Sequence, residues 1–312
     1  MPSTPFTPPT GPTRLPLWTR LKARVQIAVE RALPPRWLFA LSAQAARAAL
    51  ALNPKRRRRL ERLLGHLTPA GTPLRELRRQ AALSRAVRQH GVRSFAPVAR
   101  RSREWLLRVL RPEGLEHLDA VKRSGSGAIL VHAHIGHLAW EAPVLCGLGY
   151  PVKFVQRRAT APTLYLLLRR EGLLGEVLPY PSAGEEGLHL KRLLDLLRRG
   201  TWLQHVGDAP DPETGLLGMF FGHPIRCARA PWVLSRLSGA PVIPTLILTD
   251  AECRFRLIIG EPAHVGGAGK ALEAAFQSYL DFLARHLARA PWNIRMSHWE
   301  TLLLQTPGAA AP

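Results

Sequence analysis

Acidic residues are scarce in this chain: 22 Asp+Glu stand against 44 Lys+Arg in 312 residues, a formal net charge of +22. That deficit points to negatively charged partners, and anionic membrane surfaces, acidic carrier proteins and nucleic acid all fit it. Arg far outnumbers Lys, and Ala, Leu and Pro are abundant, so compositional drift is a second source of the charge. Aromatic residues make up only 7% and no recognition motif occurs, which sets nucleic acid aside. Cysteine is rare. Cys146, Cys227 and Cys253 are odd in number and widely spaced, so they form neither a disulfide framework nor a zinc pattern, and a reducing compartment is expected. Long apolar runs are missing too. The best candidate, Trp37 to Leu52, is shorter than the ~20 residues of a bilayer span and carries Gln44 and Arg47. It reads as an amphipathic or buried helix, and no secretory signal is expected at the N-terminus. Two nucleotide-binding patterns fail as well. No Gly-Lys-Ser/Thr loop occurs, and Gly125-Ser126-Gly127 precedes its strand instead of following it.

Hydrophobic residues at 46% suffice for a core. Residues 1–16, rich in Pro and Thr, are expected to be disordered. Residues 17–111 read as a basic helical segment: helices over Leu17 to Leu33 and Trp37 to Leu52, then two more between Thr72 and Arg111. Lys55-Arg56-Arg57-Arg58-Arg59 follows the apolar helix directly. A basic run beside an apolar helix suits a membrane-surface anchor, at ~1 kcal/mol per cation near an anionic leaflet, and equally suits a solvated helix start. Residues 112–305 change texture to alternating strands and helices, with a helix from Ala161 to Glu171 among them and a hairpin around Gly222. This alternation predicts an α/β fold, a mixed and mostly parallel sheet flanked by helices, with the N-terminal helices as a membrane-docking segment. Residues 306–312 read as a disordered tail.

The chemistry concentrates between Gly127 and Glu141, GAILVHAHIGHLAWE. Ala128 to Val131 is a short apolar run that ends in His132, His134 and His137. A strand that gives way to titratable groups and then a helix is where α/β folds place their reactive residues. The HxHxxH spacing lacks the helix-face geometry of a zinc hydrolase, so no metal is expected.

The order of motifs carries a resemblance. The strand into HIGHLAWE is followed by a strand ending in Gln156-Arg157-Arg158, then one ending in Gly207-Asp208. Phe220-Phe221-Gly222-His223-Pro224, Ser238 to Pro244 and a closing Trp292 to Trp299 segment complete the series. It resembles the bacterial late acyltransferases of lipid A biosynthesis and the related phosphatidylinositol mannoside acyltransferases, a branch of the lysophospholipid acyltransferase superfamily. The resemblance covers roughly Leu115 to Glu300. It implies transfer of a fatty acyl group from a thioester to a lipid-borne hydroxyl, with no cofactor beyond the thioester donor, an acyl carrier protein or acyl-coenzyme A. Anionic membrane lipid is the implied partner. The implied location is the cytoplasmic face of the inner membrane, held peripherally.

The family motif is His-x-Gly-Asn-Trp-Glu, in which the imidazole takes the hydroxyl proton and the acid holds the ring. His134 and Gly136 fall on its histidine and glycine, but Ala139 stands where the acid belongs. Three placements remain open. Glu141 is the motif acid displaced by two residues; or His137 and Glu141, four apart on one helix face, form the pair; or Asp208 orients His134 alone. Helical geometry throughout would put His134 and Glu141 ~10 Å apart along the axis. The missing acid also admits a catalytically inactive lipid-binding or scaffold protein. The catalytic candidates are thus His134, Glu141 and Asp208. His137, Arg157, Arg158, Phe221 and Gly222 are candidates for substrate binding, the arginines because they suit an anionic head group.

Overall fold

The computed structural model describes residues 17–93, 98, 101–156, 177–179 and 186–303. The segments expected to be disordered at both ends, the helix expected between Ala161 and Glu171, and Arg157 and Arg158 lie outside the described residues.

Eight strands are described: β1 (Ala128–His132), β2 (Val152–Gln156), β3 (Val177–Pro179), β4 (Trp202–Val206), β5 (Leu216–Phe220), β6 (His223–Cys227), β7 (Val242–Thr249) and β8 (Phe255–Ile259). Six form one sheet in the order β3-β2-β4-β1-β7-β8. All neighbours in it run parallel except β7 and β8. The sheet is therefore mixed and mostly parallel, as the alternation of elements led one to expect. β1 and β7 are buried along their whole length, which explains why they read as unbroken apolar runs and not as alternating ones.

Helices cover both faces. Residues that alternate along the strands divide between two apolar clusters. Ile129, Val131 and Leu203 point to one face, under α8 (Glu186–Arg198), α9 (Ala230–Ser238) and α10 (Lys270–Leu287). Ala128, Leu130, Trp202, Ile243 and Ile247 point to the other, under α5 (Arg103–Leu110), α6 (Leu115–Arg123) and α7 (Leu138–Gly147). The N-terminal helices α1 (Leu17–Ala32), α2 (Pro35–Ala51), α3 (Pro54–Gly65) and α4 (Leu74–Arg93) precede these. Phe39 of α2 and Ala86 of α4 are fully buried in the second cluster, so these helices also roof one face of the sheet. The arginine run is the start of α3. Asn53 caps it, its Oδ1 accepting a hydrogen bond from the Arg56 amide at 3.0 Å, and Pro54 occupies the first turn.

β5 and β6 form a separate antiparallel hairpin, with Phe221 and Gly222 as its two-residue turn at φ 48° and 77°. Two positive φ values match the twist of a hairpin, and glycine is favoured for them, so Phe221 holds a conformation unusual for its side chain. Gln277 of α10 clamps this hairpin, accepting from the Met219 amide at 2.7 Å and donating to its carbonyl at 3.0 Å. A final helix, α11 (Met296–Leu303), follows a short 3-10 turn at Pro291–Asn293.

Candidate active site

β1 and β4 are parallel neighbours, so their C-terminal ends lie side by side. The chain leaves β1 for one side of the sheet, and the connection from β4 to β7 crosses to the other. The crevice at such a reversal is where open α/β sheets hold their reactive groups. Here it receives His134 from the turn after β1 and Asp208 from the turn after β4.

The turn over residues 133–137 is pinned from two sides. Gly136 donates to the Asn293 carbonyl at 2.7 Å, His137 to the Ile247 carbonyl at 2.8 Å, and the His134 carbonyl accepts from the Arg295 amide at 3.0 Å. Asn293 is locked in turn, its side chain bonding both the amide and the carbonyl of Thr249 at 2.9 Å. Gly136 has φ 57°, and a Cβ there would lie 2.0 Å from the Ile247 carbonyl oxygen. Only glycine fits.

Asp208 holds His134 twice. One carboxylate oxygen accepts from the His134 amide at 2.8 Å, and the other lies 2.9 Å from ring Nδ1. With Nδ1–H directed at the carboxylate, Nε2 is left as the proton acceptor of the ring. The His134 side chain keeps 26% of its surface exposed and that of Asp208 only 6%, so the histidine faces outward and the acid supports it from within.

A third group completes the cluster. His298 of α11 stacks on His134 with ring centroids 4.0 Å apart. Its Nε2 lies 2.8 Å from the Asp208 carbonyl and 3.0 Å from a carboxylate oxygen. Burial alone would push the Asp208 carboxyl up. The charges of His298 and His134 and the hydrogen bonds from both rings override it and hold the acid well below the usual carboxylate range. For His298, burial works downward, and the Asp208 charge and hydrogen bonds prevail to raise the imidazole above its ordinary value. Sequence reasoning missed His298. It lies in the closing Trp292 to Trp299 segment, and its relation to His134 depends wholly on how α11 docks.

The structure corrects the placement of two candidates. Glu141 is fully buried on α7 and turned toward the sheet, where Gln204 and Thr245 donate to its Oε2 at 2.9 and 3.0 Å. The histidine facing it is His132, at 3.5 Å, and not His134. Alternation is the reason: His132, Gln204 and Thr245 all point to the α7 side of their strands, whereas His134 lies beyond the end of β1. Burial pushes the Glu141 carboxyl well up, and it pushes the His132 imidazole down to about 4, so the histidine is neutral near pH 7. His137, a candidate for substrate binding or for pairing with Glu141, does not pair with Glu141. It precedes the first residue of α7, is wholly buried, and bonds the Thr249 hydroxyl while Phe255 and Trp140 pack on its ring.

Phe221 and Gly222 sit at the hairpin turn, and the neighbouring Phe220 packs edge-on against Trp299, next to His298. The hairpin thus leans on α11. His205, read as a core histidine, is buried with its imidazole pushed down to about 3 by desolvation.

Among the described residues, the cluster with the donor atoms of a cation site is His134, Asp208 and His298, whose ligand atoms lie within 4.8 Å of one another. Those same atoms are already engaged with each other, His134 Nδ1 on one carboxylate oxygen and His298 Nε2 on the other. As built, the trio is a hydrogen-bonded relay.

A partly exposed histidine backed by a buried aspartate at the end of an α/β sheet has the geometry that a general base requires. The chain belongs to the family described as bacterial lipid A biosynthesis acyltransferase, whose model matches residues 18–291. It is also similar to curated proteins named phosphatidylinositol mannoside acyltransferase from Mycobacterium tuberculosis. With the one from strain CDC 1551 / Oshkosh it shares 29% identity over 196 residues, and with the one from strain ATCC 25618 / H37Rv 30% over 196 residues. The matched region is 60% of this chain and spans 58% of those relatives' length.

Proposed function

We propose that this protein is an O-acyltransferase that moves a fatty acyl group from a thioester to a hydroxyl of a lipid or glycolipid acceptor. The observation that carries the reading is the double hold of Asp208 on His134, found in a chain of this family. His134 Nε2 takes the proton of the acceptor hydroxyl as its oxygen attacks the thioester carbonyl. Asp208 accepts from Nδ1–H and stabilises the imidazolium that forms. The tetrahedral intermediate collapses with loss of the thiolate, which recovers the proton from Nε2. The products are an ester and a free thiol, and the resting histidine is restored. The thioester supplies the activation, so this route calls for no cofactor.

Asp208 supplies the carboxylate that Ala139 does not, which favours the enzyme over an inactive scaffold of the same fold. The donor in this reading is an acyl carrier protein or acyl-coenzyme A. Arg157 and Arg158 remain candidates for an anionic head group. Docking on the cytoplasmic face of a membrane by the N-terminal helices is supported by exposed Trp18, Val25, Trp37 and Leu41 on α1 and α2, and by the excess of positive charge. Among the described residues no helix is long and apolar enough to cross a membrane.

The test is thioester consumption by the purified protein with anionic lipid extract, offering both donor types. His134→Ala and Asp208→Asn should each lower kcat/KM by about 10²–10⁴-fold with the fold retained, the range expected when a general base or its orienting acid is lost. Full activity in His134→Ala would defeat the site assignment. A folded parent with no turnover on a broad lipid panel would return the protein to the scaffold reading.

A further inference from the structure

The cleft closed by α3, α4 and α11 has a charge pattern that acyl transfer does not use. It measures about 120 Å³ and is lined by Arg56, Arg59, Arg85 and Arg88, with Glu300 as its one carboxylate. That is room for a small anion with some hydration. Arg56 and Arg59 share the inward face of α3, spaced one turn apart, while Arg85 and Arg88 repeat that spacing on α4.

Glu300 is already committed, its carboxylate taking the Arg59 guanidinium in a forked pair with one arm at 2.9 Å. Arg56 and Arg85 face each other across the cleft with no carboxylate partner among the described residues. Arg85 is half-buried, and burial together with the Arg56 charge lowers its guanidinium. A bound anion would relieve that repulsion.

A second arginine-lined cleft lies among α2, α3 and α4. It is lined by five arginines, Arg47, Arg57, Arg75, Arg78 and Arg79. There Glu61 lies 3.5 Å from Arg57 and 3.4 Å from Arg78, and Glu76 takes Arg79 in a fork of 2.7 and 2.8 Å. Three of those five arginines meet a carboxylate, whereas in the first cleft Arg59 does and, among the described residues, Arg56 and Arg85 do not. Ser297, which lines the first cleft, is the residue before His298 on α11.

We propose that the α3–α4–α11 cleft is a phosphate-binding site in which Arg56 and Arg85 grip the phosphoryl group of a substrate, with the Ser297 hydroxyl at the rim. Paired guanidinium forks match phosphate geometry, and Leu60, Leu63 and Met296 line the same cleft, which suits a phosphate ester better than a free ion. The phosphate comes from a phospholipid head group or from the nucleotide end of a coenzyme A donor. That the ester belongs to a substrate rests on the acyl-transfer reading; the anion site does not.

Three probes distinguish the sources in the full-length protein at near-physiological salt: inorganic pyrophosphate and coenzyme A by calorimetry, and phosphatidylglycerol against phosphatidylcholine vesicles by flotation. The variant pair Arg56→Ala/Arg85→Ala is compared with the charge-matched pair Arg123→Ala/Arg236→Ala, both at exposed positions outside the cleft. The expected result is at least tenfold weaker binding of pyrophosphate in the cleft pair and less than twofold change in the control. A parallel loss for coenzyme A assigns the site to the donor, and one for phosphatidylglycerol vesicles assigns it to a head group. Equal losses in both pairs for every probe would overturn the proposal in favour of diffuse electrostatics. If the alanine pair fails to fold, Arg56→Lys/Arg85→Lys keeps the charge without the fork and should bind pyrophosphate at least threefold more weakly; unchanged binding overturns the proposal. No thioester turnover by the parent, with pyrophosphate bound by the parent and lost in the cleft pair, would count against the acyl-transfer reading and not against the site.

Discussion

Glu141→Gln separates a buried neutral acid from a catalytic carboxylate. Both side-chain donors that reach Glu141, from Gln204 and Thr245, converge on one oxygen, and the glutamine amide oxygen can accept them in the same way. The substitution therefore preserves shape and the two bonds while removing a titrating group. Burial raises the Glu141 carboxyl well above its ordinary value, so the unfolded chain gives up this proton near pH 4.5 while the folded one retains it. Between those two values the folded state binds the extra proton, and stability falls as pH rises, by at most ~1.4 kcal/mol per pH unit. The glutamine variant lacks that slope. Its advantage over the parent should therefore grow as pH rises above about 4.5, by at most ~1.4 kcal/mol for each pH unit over which the folded carboxyl keeps its proton, a gain in melting temperature of a few degrees per unit for a domain of this size. Thermal unfolding of both proteins over that range is the assay. Parallel profiles would show that Glu141 is ionised in the folded state and would refute the reasoning. Thioester turnover should stay within a few-fold of the parent, because Glu141 serves the packing beneath the site.

Three further expectations follow from the same geometry. His298→Ala should reduce turnover about tenfold or more, since charge-assisted bonds of this kind contribute roughly 1.5–3 kcal/mol. The raised imidazole makes His298 stabilising below its ordinary value near 6.5 and progressively less so as pH climbs through its folded value, so the variant's deficit in melting temperature should be larger at pH 6 than at pH 9. In acid the buried histidines act in the opposite sense. His132, down to about 4, and His205, down to about 3, stay neutral where the unfolded chain protonates, so stability should fall as pH drops below ~6.5, by roughly 3 kcal/mol from His132 alone at full effect. His132→Gln should flatten that limb in denaturant titrations at pH 4.5 and 6.5. Gly136→Ala should cost about 2–4 kcal/mol, combining a positive φ with a 2.0 Å approach to the Ile247 carbonyl oxygen, and a loss under 1 kcal/mol in chemical denaturation would show that the turn relaxes freely.

The sheet was legible because its strands are short apolar runs that stop at polar groups, Val131 before His132 and Val206 before Gly207-Asp208. The acid was harder to place. Counting forward from His134 treats the chain as one continuous element, but Gly136 turns it with a positive φ and α7 begins only at Leu138. The turn carries His134 past the end of β1, while Glu141 is rotated under the sheet. His298 left no local signal. MSHWETLL is an ordinary amphipathic helix, and only the bonds from Asn293 and Arg295 to the turn over 133–137 put its histidine against Asp208. The run Lys55 to Arg59 reads in sequence as a membrane anchor or a solvated helix start, and it folds as the first turns of a capped helix that directs Arg56 and Arg59 into a cleft.

The turn bearing His134 is clasped by residues 293–295, so the candidate site is sewn together from the middle and the C-terminal end of the described chain. Synthesis runs from the N-terminus, and the sheet can be complete while residues 291–303 are still within the ribosome. Until that stretch emerges and docks, nothing stacks on His134 and no Asn293 braces its loop. A nascent chain would therefore lack the braced cluster of His134, Asp208 and His298 until α11 docks.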